Sequence, residues 1–426
     1  MNSSFEVDVV VVGAGPAGCA TATALAQHGR KVLVLERETF PRYHIGESLI
    51  PFTYPALERI GMIEKLKQSA FSRKYSVQFV SPSGRASQPF YFHTRYDKET
   101  VAQTWQVLRS EFDQMLVENA REKGVEVREK TEVVELLQEG GKYVGVRARG
   151  SDGVEYEVRA AMTVDATGRE AIAATRNAWR RGDPKLNKVA IWTYYEGAKR
   201  DLGIDEGGTT VAFIPNKGWF WYIPQHNNRV SVGVVADGKY LTRDGLKDPE
   251  SIFQREIPEN KWIEDHLSTG RVCDEYWLTG EYTFRSEYCA DHGLVLVGDA
   301  FGFLDPVFSS GLMIALKSGV AAADSIHKAL EIGDVSANHF ISYSEMMRQS
   351  IENMRKLVYA FYDTNISFKT VTEGRPEIAD DLTDCLSGDV NKDFSRLFAA
   401  FSEYTTVPED LPYGAPRLSE SSLVAG

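Results

Sequence analysis

Val9 to Val12 is a β-branched run that ends in Gly13-Ala14-Gly15-Pro16-Ala17-Gly18, and the Ala- and Leu-rich residues from there to His28 read as a helix. Lys31 to Leu35 predicts a second strand, closed by Glu36. Strand, glycine turn, helix and strand, with an acidic residue about 20 positions onward, form the unit that binds a dinucleotide. Gly13 and Gly15 permit the tight turn and a close backbone approach, and Ala17 and Gly18 open a helix whose unpaired N–H groups face a pyrophosphate. Glu36 is placed to accept hydrogen bonds from a ribose, and Arg37 beside it joins the cofactor-binding set. A dinucleotide cofactor and an α/β fold follow.

Charge restricts what else the chain binds. The 48 Lys and Arg against 60 Asp and Glu leave a net −12, which argues against a nucleic-acid partner; an anion must be held by local positive features. Cys19, Cys273, Cys289 and Cys385 are far apart and include no C-x-x-C pair, so neither a metal site nor a dithiol centre is expected. Residues Met1 to Asp8 lack a basic region, and the following apolar run is broken by Gly13, Gly15 and Pro16. Nothing approaches a transmembrane length, and the expected location is cytoplasmic and reducing.

At 426 residues the chain has room for two or three domains. Met162 to Arg169 and Gly293 to Ala300 each read as a strand returning to the first sheet, which makes the nucleotide-binding domain discontinuous, over residues 1–185 and 280–330. Alternating residues such as Val230-Ser231-Val232-Gly233-Val234-Val235 predict an antiparallel substrate-binding sheet over 186–279, to which residues 71–107 contribute. Residues 331–426 form a C-terminal helical region whose tail, after about Pro408, is expected to be loose. Within it Tyr343, Met347, Ile351, Met354, Val358 and Phe361 recur every three or four positions, a stripe read as core packing.

The glycine loop with Glu36, then Asp165-Ala166-Thr167-Gly168-Arg169, then Gly298-Asp299-Ala300 with Asp305-Pro306, resembles the Rossmann-like FAD domain of the para-hydroxybenzoate-hydroxylase-like flavoproteins. That resemblance implies FAD and assigns Asp165, Gly168, Asp299, Pro306 and Gly311 to its binding, with Arg109 as the arginine that touches the flavin. A single fingerprint and no C-x-x-C separate the chain from disulfide reductases. His44-Ile45-Gly46-Glu47-Ser48-Leu49-Ile50-Pro51 is expected to line the flavin, with Ser48 among the cofactor-binding residues. Glu47 is open between a catalytic carboxylate and a loop residue.

Trp219-Phe220-Trp221-Tyr222-Ile223-Pro224 is similar to the W-x-W-x-I-P motif of flavin-dependent halogenases, whose aromatic wall separates flavin from substrate. Lys74, in Phe71-Ser72-Arg73-Lys74-Tyr75, matches the halogenase lysine that engages hypohalous acid. As an ammonium it polarises the oxidant and as an amine it forms a haloamine, and both roles need a desolvated lysine with a depressed pKa. Family halide sites lie at a helix start beside the flavin. Ser309, Ser310 and Gly311 fit there, a serine capping the helix and leaving N–H groups for chloride or bromide. Tryptophan halogenases carry a glutamate just before the serine pair, whereas this chain has Phe308, which points to an electron-rich phenol or pyrrole-like ring and joins Trp219 and Trp221 in the expected substrate pocket.

The resemblance therefore implies an FADH2-dependent halogenase that uses O2 and halide, receives reduced flavin from a separate flavin reductase, and acts on a small aromatic substrate, free or tethered to a carrier protein. Trp192, Tyr194, Tyr195 and Phe213 offer faces to a flat ring, an arrangement core packing explains equally; His93 and His226 carry no motif. The rival readings are a single-component aromatic hydroxylase, a reductase of isoprenoid double bonds, and an inactive flavin-binding protein. Each leaves Lys74 and the paired tryptophans without a joint explanation.

Overall fold

The computed structural model describes residues 4–96, 101–183, 185–215, 218–280, 283–363 and 366–418. Its first sheet has a parallel core, in the order Glu126–Arg128, Val32–Leu35, Ser4–Val12, Glu155–Asp165 and Leu294–Leu296. Register fixes one edge of it. Val12 is level with Leu35 and with Asp165, and Asp165 with Leu296, so Gly13, Glu36, Ala166 and Val297 leave the sheet side by side. In such sheets that carboxyl edge is where ligands bind.

The β-branched run is buried on both faces, as parallel strands require. Val9, Val11, Val32 and Val34 turn toward the Pro16–Gln27 helix and the main core, while Val10, Val12, Leu33 and Leu35 meet an antiparallel layer carrying Val133, Val146 and Ala148. The Pro16–Gln27 helix lies close against the long Gly311–Ile332 helix, and a Cβ at Gly319 would stand 2.6 Å from the Ala17 carbonyl oxygen. Small residues let the two N-termini converge on one edge of the sheet.

The second sheet is mostly antiparallel. Its central order is Lys188–Glu196, Arg229–Asp237, Trp219–Pro224, Thr209–Phe213 and Ser76–Val80. The period of two sorts its side chains: Trp192, Tyr194, Trp219, Trp221 and Ile223 face the main core, whereas Tyr195, Phe220 and Tyr222 pack with Phe253 and Ile263 on the far side. Lys74 ends a short strand, Ser72–Lys74, paired with Thr104–Gln106 next to this sheet.

The helical stripe is core, since Tyr343, Met347, Ile351, Met354, Val358 and Phe361 are all buried. Its last member also touches the aromatic wall, for the Phe361 ring lies 6.3 Å from Trp219 and 5.3 Å from Phe213. The expectation of a loose tail from Pro408 is corrected as far as residue 418. Ala415 and Pro416 pair with the Tyr288–Asp291 strand, Gly414 N–H donates to Glu287 and Arg417 N–H to Ala290, so the backbone extends the first sheet. Residues 419–426 lie outside the described residues. Among the described residues no helix is long and apolar enough to cross a membrane, and no group of His, Cys, Asp and Glu could hold a metal.

Candidate active site

A cavity of about 520 Å³ runs from the glycine loop, past the carboxyl edge of the first sheet, to the aromatic face of the second. Gly13, Gly15, Ala17, Glu36 and Arg37 line one end, Gly168, Arg109, Asp299, Pro306 and Gly311 the middle, and Ser48, Thr209, Trp219 and Trp221 the other end.

At the nucleotide end recognition is built from backbone. Gly13 has φ +103°, and a Cβ there would meet the Ala166 carbonyl oxygen at 2.5 Å. Neither helix N-terminus that points to the cavity has a side-chain cap, which leaves N–H groups for an anion. Cβ atoms built at Gly168 and Gly311 have nothing within 4 Å, so both glycines border open space. Glu36 accepts from Ala14 N–H at 2.8 Å and Glu38 N–H at 3.0 Å, bonds that brace the glycine turn. Arg42, which the sequence reading missed, sits above Gly15 with its Nη2 3.7 Å from a Cβ built there; its buried Nε makes no hydrogen bond among the described residues, and its ion pairs with Glu38 and Asp113 are long, at 3.7 and 3.8 Å. Uncapped N–H groups, a guanidinium whose buried Nε makes no hydrogen bond and glycines bordering a void fit the pyrophosphate of FAD.

Arg109 is buried at the start of its helix, clamped by Asp113 at 2.8 and 2.9 Å, while Nη1 donates to Ile45 and Gly46 carbonyls at 2.7 and 3.1 Å. It holds the loop that brings His44, Glu47 and Ser48 to the cavity. Burial and then the Arg109 charge press His44 down to about 3, so its imidazole is neutral. Asp299 opens onto the cavity, and burial pushes its carboxyl up to about 6 against the charges of Arg169 and Arg109.

Several expected positions do different work. Gly18 is not on the cavity wall: its Cβ would stand 2.0 Å from the Gly13 carbonyl oxygen, so it closes the helix onto the turn. Asp165 also lies behind the wall, where it accepts from Thr167 and from Ala173 N–H at 2.7 Å and shapes the turn before Gly168. Ser309 and Gly311 line the cavity but Ser310 does not; it holds the N-cap position and makes no side-chain cap bond. Ser309 adopts a left-handed φ of +55° that turns the chain there. Phe308 is turned away as well, with its ring 5.7 Å from Phe361 and 6.0 Å from Phe368. Of the four further aromatics only Trp192 lines the cavity, because Tyr195 lies on the opposite face of the sheet and Phe213 stacks on Phe79.

At the far end side chains do the work. Trp219 and Trp221 are 6.1 Å apart, centroid to centroid, and form one wall. Trp219 Nε1 donates to Tyr362 Oη at 2.8 Å, which donates in turn to Asp305 at 2.8 Å. Trp221 lies across the neighbouring strand at Gly233, where a Cβ would stand 2.2 Å from the indole ring. Lys74 is 1% exposed. Its Nζ donates to Ser48 Oγ at 2.8 Å and to the Leu49 carbonyl at 3.1 Å. Ser48 Oγ also bonds Thr209 Oγ1 at 3.0 Å, and both residues line the cavity. The amine is thus one serine behind the wall. Among the described residues no carboxylate neutralises it, and burial lowers its pKa to about 7.

Residues 6–354 match the FAD binding domain family. The chain is 31% identical over 411 residues to a 1H-pyrrole-2-carbonyl peptidyl-carrier-protein chlorinase of Pseudomonas fluorescens, covering 91% of this chain and 90% of the relative. It belongs to the flavin-dependent halogenases. A tryptophan 2-halogenase of Chondromyces crocatus is 32% identical over 87% of this chain and 70% of its own length. Among solved structures, a flavin-dependent brominase superposes with a TM-score of 0.84 at 27% identity, over 94% of this chain and 98% of the other. The chondrochloren halogenase superposes with a TM-score of 0.78 at 31% identity, over 92% of each chain. This halogenase therefore binds FAD.

Proposed function

We propose that the enzyme halogenates an electron-rich aromatic ring, phenol- or pyrrole-like, presented on a peptidyl carrier protein, and that Lys74 directs the halogen. The observation that carries this reading is a buried amine without a counter-charge, set one serine behind a cavity that also touches the glycine loop and the tryptophan wall. Reduced FAD, when bound, would activate O2 to the two-electron oxidant that converts chloride or bromide into hypohalous acid. The uncapped helix start at Gly311, beside Ser309, holds the halide against that group. Trp219, Trp221 and Ile223 exclude water along the passage and fix the ring plane. Lys74 as an ammonium acts through Ser48 Oγ, to which it donates, so that this hydroxyl hydrogen-bonds the hypohalous oxygen and makes the halogen more electrophilic. Its pKa near neutrality suits proton donation and recovery.

Carrier tethering rests on two relatives named for pyrrolyl carrier substrates, the chlorinase above and a brominase of Pseudoalteromonas luteoviolacea, 29% identical over 91% of this chain and 93% of its own. A separate flavin reductase supplies FADH2 in the cytoplasm. The test combines purified protein, FAD, a flavin reductase, NADH and bromide with a pyrrolyl-2-carbonyl carrier protein or a panel of free phenols, read by mass. Brominated carrier is expected. Hydroxylated products would replace this reading with that of an aromatic hydroxylase.

A further inference from the structure

Electrophilic halogenation leaves a ring carbon holding both hydrogen and halogen, so a proton must depart from a dry cavity. Glu47, adjacent in sequence to the serine that holds Lys74, is 2% exposed and lines that cavity. Its Oε1 accepts from Tyr194 Oη at 2.8 Å and from Gln225 Nε2 at 2.7 Å, whereas Oε2 is buried without a bond of that quality and the Ser231 hydroxyl is the further group that stabilises the carboxylate. Of the other carboxylates that line the cavity, Glu36 braces the glycine turn with both oxygens, Glu170 pairs with Arg37, and Asp299 lies in the middle of the cavity. Tyr194 Oη also lies 3.2 Å from Tyr43 Oη, and its one proton serves either neighbour. Tyr43 is 39% exposed and accepts from Trp192 Nε1 at 2.6 Å. A continuous line of oxygens therefore joins Glu47 to Tyr43, an exposed residue that also lines the cavity.

We infer that Glu47 takes the proton released by the substrate ring and passes it out through Tyr194 and Tyr43. The inference rests on the functional reading above. In the step, the ring forms its carbon–halogen bond as the O–X bond of hypohalous acid breaks, and the departing hydroxide takes a proton from Lys74 through Ser48 Oγ and leaves as water. The C–H bond then breaks, its electron pair restores the ring, and the proton goes to the Glu47 carboxylate. Tyr194 and Tyr43 carry that proton to solvent while Lys74 regains one, so the net change is ArH and HOX to ArX and H2O.

The surroundings agree. Burial raises the Glu47 carboxyl, opposed by the hydroxyls of Ser231 and Tyr194, the Gln225 amide and the charge of Arg229. Arg229 lies 3.9 Å over the Tyr194 ring and is paired with Asp274 at 2.6 Å; Arg109 faces the same group from its helix. Both phenols are raised, Tyr43 to about 12, mainly by burial, so each keeps its proton between turnovers.

The test uses the complete flavin-loaded enzyme with a flavin reductase, NADH, O2 and bromide, and whichever ring the wild type brominates, carrier-bound pyrrole or free phenol, either normal or deuterated on its ring carbons. Wild type is expected to show no primary isotope effect on kcat, because proton removal is fast. Glu47→Gln keeps the shape but cannot take a proton: kcat is expected to fall about a hundredfold, with a primary isotope effect emerging. Tyr194→Phe is expected to lose about tenfold, also with an isotope effect, and it stands as the second probe should Glu47→Gln misfold. Independently of turnover, pH-difference infrared spectra are expected to show a protonated-carboxyl band that disappears in Glu47→Gln and moves in Tyr194→Phe. Variants that match wild type in kcat and isotope effect overturn the inference alone. A wild type that yields no bromophenol and no brominated carrier overturns the functional reading, and the inference with it.

Discussion

The two ends of the cavity are built in opposite ways. At the nucleotide end the chain offers backbone: glycines, uncapped helix starts and a row of strand ends brought level by register. At the lysine end it offers side chains that burial penalises, an ammonium and a carboxyl, each held by hydroxyls and amides. Glycine serves both ends with different effect. Gly13 and Gly18 admit neighbouring backbone, whereas Gly233 admits an indole. The first end can therefore be stable and selective together, but the second must give up stability for reactivity.

Lys74→Met tests that contrast most severely. Halogenation is expected to fall at least about a thousandfold, within the range attributed to a lost general acid, while FAD stays bound. The same change is expected to stabilise the fold. Between pH 7 and 10.5 the unfolded lysine binds a proton that the native one does not, so the penalty is full below about 7 and fades as pH rises toward 10.5. At pH 7 it is about 4 kcal/mol. Part returns when Ser48 Oγ and the Leu49 carbonyl lose their donor, about 2 kcal/mol. A net gain of roughly 2 kcal/mol in denaturant unfolding at pH 7, shrinking by pH 10, is the expected outcome. A variant less stable than wild type at every pH would show that the lysine end carries no such penalty. Wild-type halogenation should itself fall as pH rises through about 7, because the ammonium is the proton donor.

Gly18→Ala tests the other end. Its Cβ would be 2.0 Å from the Gly13 carbonyl oxygen and 3.2 Å from the Ala166 Cβ, so the helix must move off the turn. A loss of about 2 kcal/mol in stability is expected, with FAD affinity reduced at least tenfold in a fluorescence titration. Gly233→Ala is the matched probe at the aromatic wall. There the Cβ displaces a side chain and not backbone, so Trp221 is expected to turn into the cavity. Regioselectivity and substrate KM change, and FAD affinity does not. Equal loss of FAD affinity in the two variants would erase the distinction between the ends.

The contrast also explains what was legible in the sequence. The glycine loop, Glu36 and the returning strand at Asp165 are local motifs whose geometry is set within a few residues, so chain order alone places them at one edge. Lys74, Trp219 and Trp221 were readable by resemblance. Their surroundings were not, because Ser48, Thr209, Gly233 and Tyr362 converge from separate segments and no spacing links them. Ser310 and Phe308 are absent from the cavity lining for a local reason: the left-handed Ser309 turns the chain between them. Arg42 gave no signal at all, being one arginine in a loop whose path depends on Asp113, with which it pairs at 3.8 Å.

The smallest expected effect is also the finest probe of the aromatic wall. Tyr362 joins Trp219 to Asp305, whose carboxyl burial pushes up to about 6 while the Tyr362 hydroxyl and Val307 N–H pull it back. Asp305 is protonated at pH 5 and charged at pH 8, and a hydrogen bond to a charged acceptor contributes more than one to a neutral group. Tyr362→Phe is therefore expected to lose about 1 kcal/mol at pH 5 and about 2 kcal/mol at pH 8. Native Asp305 binds a proton that the unfolded chain lacks between pH 3.8 and about 6, so its contribution to stability falls as pH rises through that window. Without the hydroxyl the window extends further upward, and the difference from wild type should widen with pH in paired unfolding curves. Product distribution should broaden only modestly, because Phe361 still packs against Trp219. A pH-independent loss would mean that the tyrosine supports the wall by packing alone, and that Asp305 does not take part in fixing the indole.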